Sequence, residues 1–405
     1  MLPRFSVLLL AGLLPLATGG AQEAAATYVT DLLERAQAGD AEAQYNLGMR
    51  AAYGIGMNRD EAEAMRWYRK AAEQGHVTAQ FNLGMRLAFG IGAEKNEPEA
   101  VEWYRKAADQ GDIQALINLG GMVLNGRGTA RDEAAAIALF RQAAERGNTE
   151  AQLNLGLRYA AGEGVLRDDA EAIRWFKRAA EADNPHAEAN LGLLYAQGRG
   201  VAKDEVEAVR WYREAAAHGS SDAQFNLGVM IAAGRGTARD PAEAVRFYRL
   251  AAEQGHPFAQ VNLGLALSEG RGVPKDEKEA VDWFTQAAER GNAGGQFNLG
   301  IMLANARGVA KDEAAALAWF RKAAEQGNLE AQFNLGSMYG NGQGTPRDLV
   351  QAYVWLALCS RSGWSTAREY LARADRALSK EERDRAQDLV EVLSARIPAP
   401  APVQP

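Results

Sequence analysis

The sequence predicts an all-α fold, an α/α solenoid of helix–turn–helix repeats with a 36-residue period. Three observations carry that prediction. Nine Asn-Leu-Gly tripeptides, from Asn46 to Gly336, recur every 36 residues and assign residues 40–363 of 405 to one array. Every period holds two apolar stripes at helical spacing. Every period is interrupted at the same place by glycine and then a helix-capping residue. A two-helix unit buries too little surface to fold alone, so its stability comes from stacking on its neighbours.

Residues 1–21 read as a cleaved signal peptide: Arg4, an apolar run from Phe5 to Leu16, then Gly19-Gly20-Ala21. No Cys follows the run, which excludes a lipoprotein anchor. The expected location is therefore secreted or periplasmic. Residues 22–39 are expected to form a lone capping helix at about 25–38, because Tyr28, Leu32 and Ala36 align with Ala64, Tyr68 and Ala72 one period later.

In the first repeat, Ala43, Leu47, Ala51 and Gly54 share one face of helix A. Gly54 and Gly56 supply the positive φ values that end it and turn the chain. Asp60 then caps helix B, whose stripe is Ala64, Trp67, Tyr68, Ala71 and Ala72. The second repeat uses Asn96 as its cap.

Gly48 stands in the middle of helix A and recurs as Gly84, Gly120, Gly156, Gly192, Gly228, Gly264, Gly300 and Gly336. Glycine there costs about 1 kcal/mol relative to alanine, so the series costs roughly 9 kcal/mol, as much as a whole domain's stability. Close approach of a second helix, with the Trp67-type ring over the bare backbone, is the expected compensation. Arg69/Glu73 and the matching pairs Arg105/Asp109, Arg141/Glu145, Arg249/Glu253 and Arg321/Glu325 are expected to pair at i, i+4 on a solvated face of helix B.

Residues 364–397 are expected to close the array with capping helices. Ala367, Tyr370, Leu371, Ala374 and Leu378 form one stripe. Ser379 and Glu382 form a capping box for a last helix with stripe Ala386, Leu389, Val390, Leu393 and Ile397. Residues 398–405, rich in proline, read as an extended tail. Local departures stand out. Gly294-Gly295 should loosen the start of the eighth helix A, and Ala306 replaces its terminal glycine. Asp183 and Pro185 alter the junction between repeats four and five, and Cys359-Ser360 occupies an Ala-Ala slot.

The unit resembles the Sel-1-like repeat family, relatives of tetratricopeptide repeats, through Ala43, Leu47, Gly48, Gly54, Gly56, Asp60, Ala64, Trp67, Tyr68, Ala71, Ala72 and Gly75. That resemblance implies a right-handed superhelix that binds proteins, often in bacterial envelopes. It also implies that helix A lines the inner wall through positions 42, 45, 46, 49 and 52. Tyr45, Phe81, Phe225, Phe297 and Phe333 are then candidate partner contacts, with Met49, Met85 and Leu265 on the same face. Packing between successive helices is the competing reading, and apolar stripes are usually core. Asn46 recurs without exception as Asn82, Asn118, Asn154, Asn190, Asn226, Asn262, Asn298 and Asn334. An amide offers donor and acceptor together, so this series is either a ladder gripping an extended chain or a structural bond to the neighbouring helix.

Enzyme chemistry lacks its parts. One Cys excludes an internal disulfide framework and a cysteine-based zinc site. The four histidines are scattered: His76 and His256 fall at capping positions, His186 and His218 at surface-type positions, and none has a ligand-spaced companion. No cofactor or metal is expected, and Cys359 fits a packing role better than a nucleophile's. The net charge of −7 disfavours nucleic acid. The expected partner is a protein or peptide segment, and membrane contact is expected only through the leader. The reading is a non-enzymatic adaptor or regulator. The alternatives are a self-associating envelope scaffold and an envelope hydrolase of the β-lactamase kind.

Overall fold

The computed structural model describes residues 29–398. The expected leader and nearly all of the proline-rich tail lie outside them. The chain divides into two units, ending at Ala179 and starting at Ala180. Among the described residues every regular element is helical.

The first unit opens with α1 (residues 29–37). Four repeats follow as α2 (Ala41–Tyr53), α3 (Glu61–Glu73), α4 (Val77–Phe89), α5 (Glu97–Asp109), α6 (Ile113–Asn125), α7 (Glu133–Glu145), α8 (Thr149–Ala161) and α9 (Asp169–Ala180). Leu32 and Ala36 of α1 are buried with Ala43, Leu47 and Trp67, so the lone helix supplies the neighbour that the first repeat lacks.

The second unit holds five repeats: α10 (Pro185–Gln197), α11 (Glu205–Ala217), α12 (Ser221–Ala233), α13 (Pro241–Glu253), α14 (Pro257–Glu269), α15 (Glu277–Glu289), α16 (Ala293–Ala304), α17 (Glu313–Glu325), α18 (Leu329–Asn341) and α19 (Leu349–Arg361). Two further helices, α20 (Ser365–Ala377) and α21 (Lys380–Ser394), end it. The Ser379–Glu382 capping box is formed in both directions, and Ala386 and Val390 are buried. Cys359 is buried beside Leu356 and Ala367, where burial pushes its thiol up to about 11. A thiol that stays protonated suits packing and not attack.

Inside a repeat, the mid-helix glycine is the contact point. A Cβ on Gly48 would lie 3.0 Å from Tyr68 Cδ1 and 3.3 Å from the Ala64 carbonyl oxygen. A Cβ on Gly264 would lie 2.6 Å from Phe284 Cε1. The ring over the glycine is thus the second aromatic of the pair, not the Trp67 type. Tyr68 stands in the same i, i+4 row as Ala64, whereas Trp67 is rotated about 100° away. Trp67 instead packs toward α1, and its indole N–H donates to Glu63 at 3.3 Å.

Between repeats, a buried glutamine does most of the polar work. Gln44 Nε2 donates to the Ala36 carbonyl at 2.9 Å, on the preceding helix. Gln80, Gln152, Gln224, Gln260, Gln296 and Gln332 repeat that bond eight residues back. The carbonyl also accepts from a backbone N–H, as Ala216 does from Gly219 at 3.2 Å, so the amide takes its second lone pair. In four repeats the glutamine after helix B donates in turn to the buried one: Gln74 to Gln44, Gln110 to Gln80, Gln254 to Gln224 and Gln326 to Gln296, at 2.7–2.8 Å. Where Arg290 or Ser362 replaces that donor, Gln260 Oε1 or Gln332 Oε1 has no partner.

The expected i, i+4 ion pairs on helix B do not form. Arg69 reaches Glu99 of the next repeat at 2.5 Å, and Arg249 reaches Glu279 at 2.5 Å. Arg141 and Arg321 turn to the Tyr159 and Tyr339 hydroxyls, also one repeat on. The tyrosine hydroxyls sit on rigid rings, and Glu99 and Glu279 are each also held by a tryptophan N–H, so these contacts order little beyond the arginine. Arg127 and Arg307 reach backward to Glu97 and Glu277 at 2.8 and 2.9 Å.

The departures have local consequences. Gly294-Gly295 does not loosen α16, which starts in register after its cap Asn292. A Cβ on Gly295 would meet Ala287 Cβ at 2.6 Å, so the glycine admits a closer approach of α15. Ala306, without glycine's freedom, still holds φ +54°, as does Asp183.

Two outcomes follow for stability. Gln224→Met removes the bond to Ala216 and strands Gln254, and unfolding in urea should show a loss of about 1–2 kcal/mol. An unchanged midpoint would mean that the relay contributes nothing. The Lys95 and Arg127 hydrogen bonds hold Glu97 below its ordinary range, Lys275 and Arg307 hold Glu277 there, and Arg69 does the same for Glu99. Folding lowers these values, so the unfolded chain binds more protons. These carboxylates should therefore lower the melting temperature steadily as the pH falls below about 5.

Candidate partner-binding surface

Positions 45, 49 and 53 fall at i, i+4 and i+8 and share one face of helix A. The rings at position 45 are half-buried. Each lies against the helix B ring of its own repeat: Tyr45 on Tyr68 at 5.9 Å, Phe81 on Tyr104 at 5.8 Å, Phe225 on Tyr248 at 6.2 Å and Phe297 on Phe320 at 5.9 Å. Tyr45 and Phe225 also stack on the next cap, His76 and His256, both at 4.6 Å. Phe333 meets Tyr370 edge-on at 5.1 Å. Within each of these repeats the ring is packed on one side and partly open on the other.

The face opens further toward the end of helix A, a position the sequence reading passed over. Tyr53 is 61 % exposed and Phe89 52 %, followed in the turn by Ile55 at 46 % and Ile91 at 37 %. Repeats one and two thus present Tyr45-Met49-Tyr53 and Phe81-Met85-Phe89. The later repeats carry Asn125, Ala161, Gln197, Ala233, Glu269, Asn305 and Asn341 at position 53. A repeat-by-repeat comparison of that position would have found the patch.

The asparagine series divides. Asn46, Asn154, Asn190, Asn226, Asn298 and Asn334 each donate Nδ2 to the carbonyl four residues back in their own helix, at 2.7–2.9 Å. Asn82, Asn118 and Asn262 instead lie beside the hydroxyls of Tyr45, Tyr104 and Tyr248 on neighbouring helices. An amide has two donors and two lone pairs, so one such bond leaves capacity for another. In the second unit, Asn262 and Leu265 line a cleft of about 280 Å³ together with Tyr248, Val245, Arg239 and Arg271.

The histidines correct one expectation. His76 and His256 do cap, accepting from the Ala79 and Ala259 amides at Nδ1. His218 is no isolated surface residue: its Nδ1 lies 2.9 Å from Glu188 Oε2, a buried carboxylate 30 residues away. Ligand spacing within one helix could not show a pairing set by the repeat period. Among the described residues, no helix is long and apolar enough to cross a membrane.

Comparison with known proteins accords with this architecture. The Sel1 repeat model matches residues 41–76, 77–112, 113–148, 149–184, 185–220, 221–256, 257–292, 293–328 and 329–363. Among solved structures, a protective antigen of uropathogenic Escherichia coli with an SLR fold is 31 % identical, with a TM-score of 0.62, over 91 % of this chain and 94 % of that one. A Sel1 repeat protein from Oxalobacter formigenes is 33 % identical, with a TM-score of 0.64, over 76 % of this chain and 90 % of that one. No curated protein matches the chain. Solenoids of this kind are generally protein–protein interaction modules. Nine consecutive matches covering every two-helix repeat place this chain in the Sel1 repeat family.

Proposed function

We propose that this protein is an exported, non-enzymatic adaptor or regulator that captures an apolar segment of a partner protein. The capture surface is the helix A face of the first two repeats. One observation carries the reading: Tyr53, Ile55, Phe89 and Ile91 stand exposed where later repeats are polar or small. Exposed aromatic side chains beside methionine make an adaptable binding surface, because large rings supply contact area and Met49 and Met85 repack around what arrives. The half-buried rings of Tyr45 and Phe81 fix its floor. At its edge Asn46, whose N–H groups are both given to Glu42, offers its amide oxygen to a bound backbone, and Asn82 offers its amide. The apolar leader Phe5–Leu16 supports export, and the protective-antigen relative is compatible with an envelope location.

The experiment places a photo-crosslinking amino acid at Tyr53 or Phe89 of the full chain in its native envelope, with Leu166 as an exposed control. Both test positions should capture the same partner, and Leu166 should not. Tyr53→Ala with Phe89→Ala should weaken that partner's binding at least tenfold and leave the melting temperature nearly unchanged, since neither ring is buried. No capture at either position would contradict the reading. Light scattering that grew with concentration, in the absence of any partner, would favour a self-associating scaffold instead.

A further inference from the structure

Two residues of the fifth repeat and one at its junction with the fourth depart together from the periodic polar pattern. The buried amide of helix A is replaced by a carboxylate, Glu188, which is 2 % exposed. The glutamine that normally meets it is His218. The glycine that follows helix B as Gly39, Gly75, Gly111 and Gly147 is Asp183, in the left-handed region at φ +54°. Aspartate is among the few side chains that tolerate that region, and glycine would hold it with less strain.

The three replacements converge. His218 Nδ1 lies 2.9 and 3.0 Å from the two oxygens of Glu188, and its Nε2 lies 4.0 Å from Asp183 Oδ1. One ligand atom from each residue lies within 4.8 Å of the other two. A Glu–His pair alone would merely reproduce the periodic hydrogen bond in another form. It gives no reason for the third change, which exchanges a relaxed glycine for a carboxylate aimed at the same imidazole.

We propose that Asp183, Glu188 and His218 form a binding site for a divalent transition-metal ion of the zinc class. One imidazole and two carboxylates are a nitrogen–oxygen donor set suited to zinc, whereas calcium requires six or more oxygens. Metal–ligand bonds of about 2.1 Å set the donors of a tetrahedral ion roughly 3.4 Å apart. The Glu188–Nδ1 contact has to open from 2.9 Å to that spacing, and the Asp183 side chain, 80 % exposed and now nearest Nε2, has to swing round to the Nδ1 side. Water completes the shell. Both helices involved belong to the second unit: Glu188 lies in the first turn of α10, and His218 is the C-cap of α11. The ion would clamp the entry of that repeat to its exit.

The array provides its own control. Glu188→Gln with His218→Gln restores the amide pair of the other repeats, so this variant should fold at least as well as the parent. The untagged full chain, freed of metal, is titrated with zinc chloride by calorimetry, and cobalt is followed by visible absorption. The parent should bind one zinc at micromolar affinity or better, show the intense bands of tetrahedral cobalt, and melt several degrees higher with zinc. The double Gln variant should lose at least a hundredfold in affinity and its thermal response, and Asp183→Gly at least tenfold. Equal zinc binding by parent and double variant would move the ion to the His76–Glu42 or His256–Asp222 pairs and overturn the proposal. An absence of zinc binding by the parent would do the same.

Discussion

Each repeat depends on contact between a bare stretch of helix A and a bulky apolar side chain of helix B, an aromatic ring in eight of the nine. Glycine in mid-helix lowers helix stability by about 1 kcal/mol. What it permits is an approach in which the ring of Tyr68, Phe284 or their counterparts rests where a Cβ would otherwise stand. Leu356 takes the same place over Gly336, so the requirement is for bulk filling the space and not for aromatic character. The ring then shields the helix backbone from water on both sides. Close packing of this kind has little tolerance, since an added methyl group has nowhere to go.

That contact fixes the geometry on which the links between repeats rely. With the two helices held close, the end of one helix B lies under the first turn of the next helix A, and Gln224 can reach the Ala216 carbonyl. Arg69 and Arg249 meet carboxylates 30 residues on for the same reason. The 36-residue period is thus written twice: in apolar packing inside each repeat, and in polar bonds that read the neighbour. Glu188 and His218 replace the glutamine pair inside their own repeat, and the carboxylate has no N–H for the link to the helix before it.

Much of the fold was legible in the sequence, because the features that define it are local. Capping by Asp60 and Asn96, the left-handed turn at Gly54 and the apolar stripe of helix B each depend on residues a few positions apart. Which of two adjacent aromatics covers the glycine was not legible from their types alone, since Trp67 and Tyr68 are both bulky and apolar. Helical geometry decides it through the row shared by Ala64 and Tyr68. The arginine pairs were misread because i, i+4 spacing was considered and i+30 was not. The candidate surface was partly legible. Tyr45 and Phe81 were found from their periodicity. Tyr53 and Phe89 were missed because they interrupt the period, and His218 because its partner lies across a repeat.

The glycine contact is tested most directly by a double-mutant cycle at one repeat. Gly264→Ala in the parent should destabilise by about 1–3 kcal/mol, because the new Cβ collides with Phe284. In a Phe284→Ala background, the collision partner is gone and alanine's better helix propensity remains. There the same change should stabilise by up to about 1 kcal/mol, giving a coupling of roughly 2 kcal/mol or more. Gly264→Ala having the same effect in both backgrounds would contradict the account.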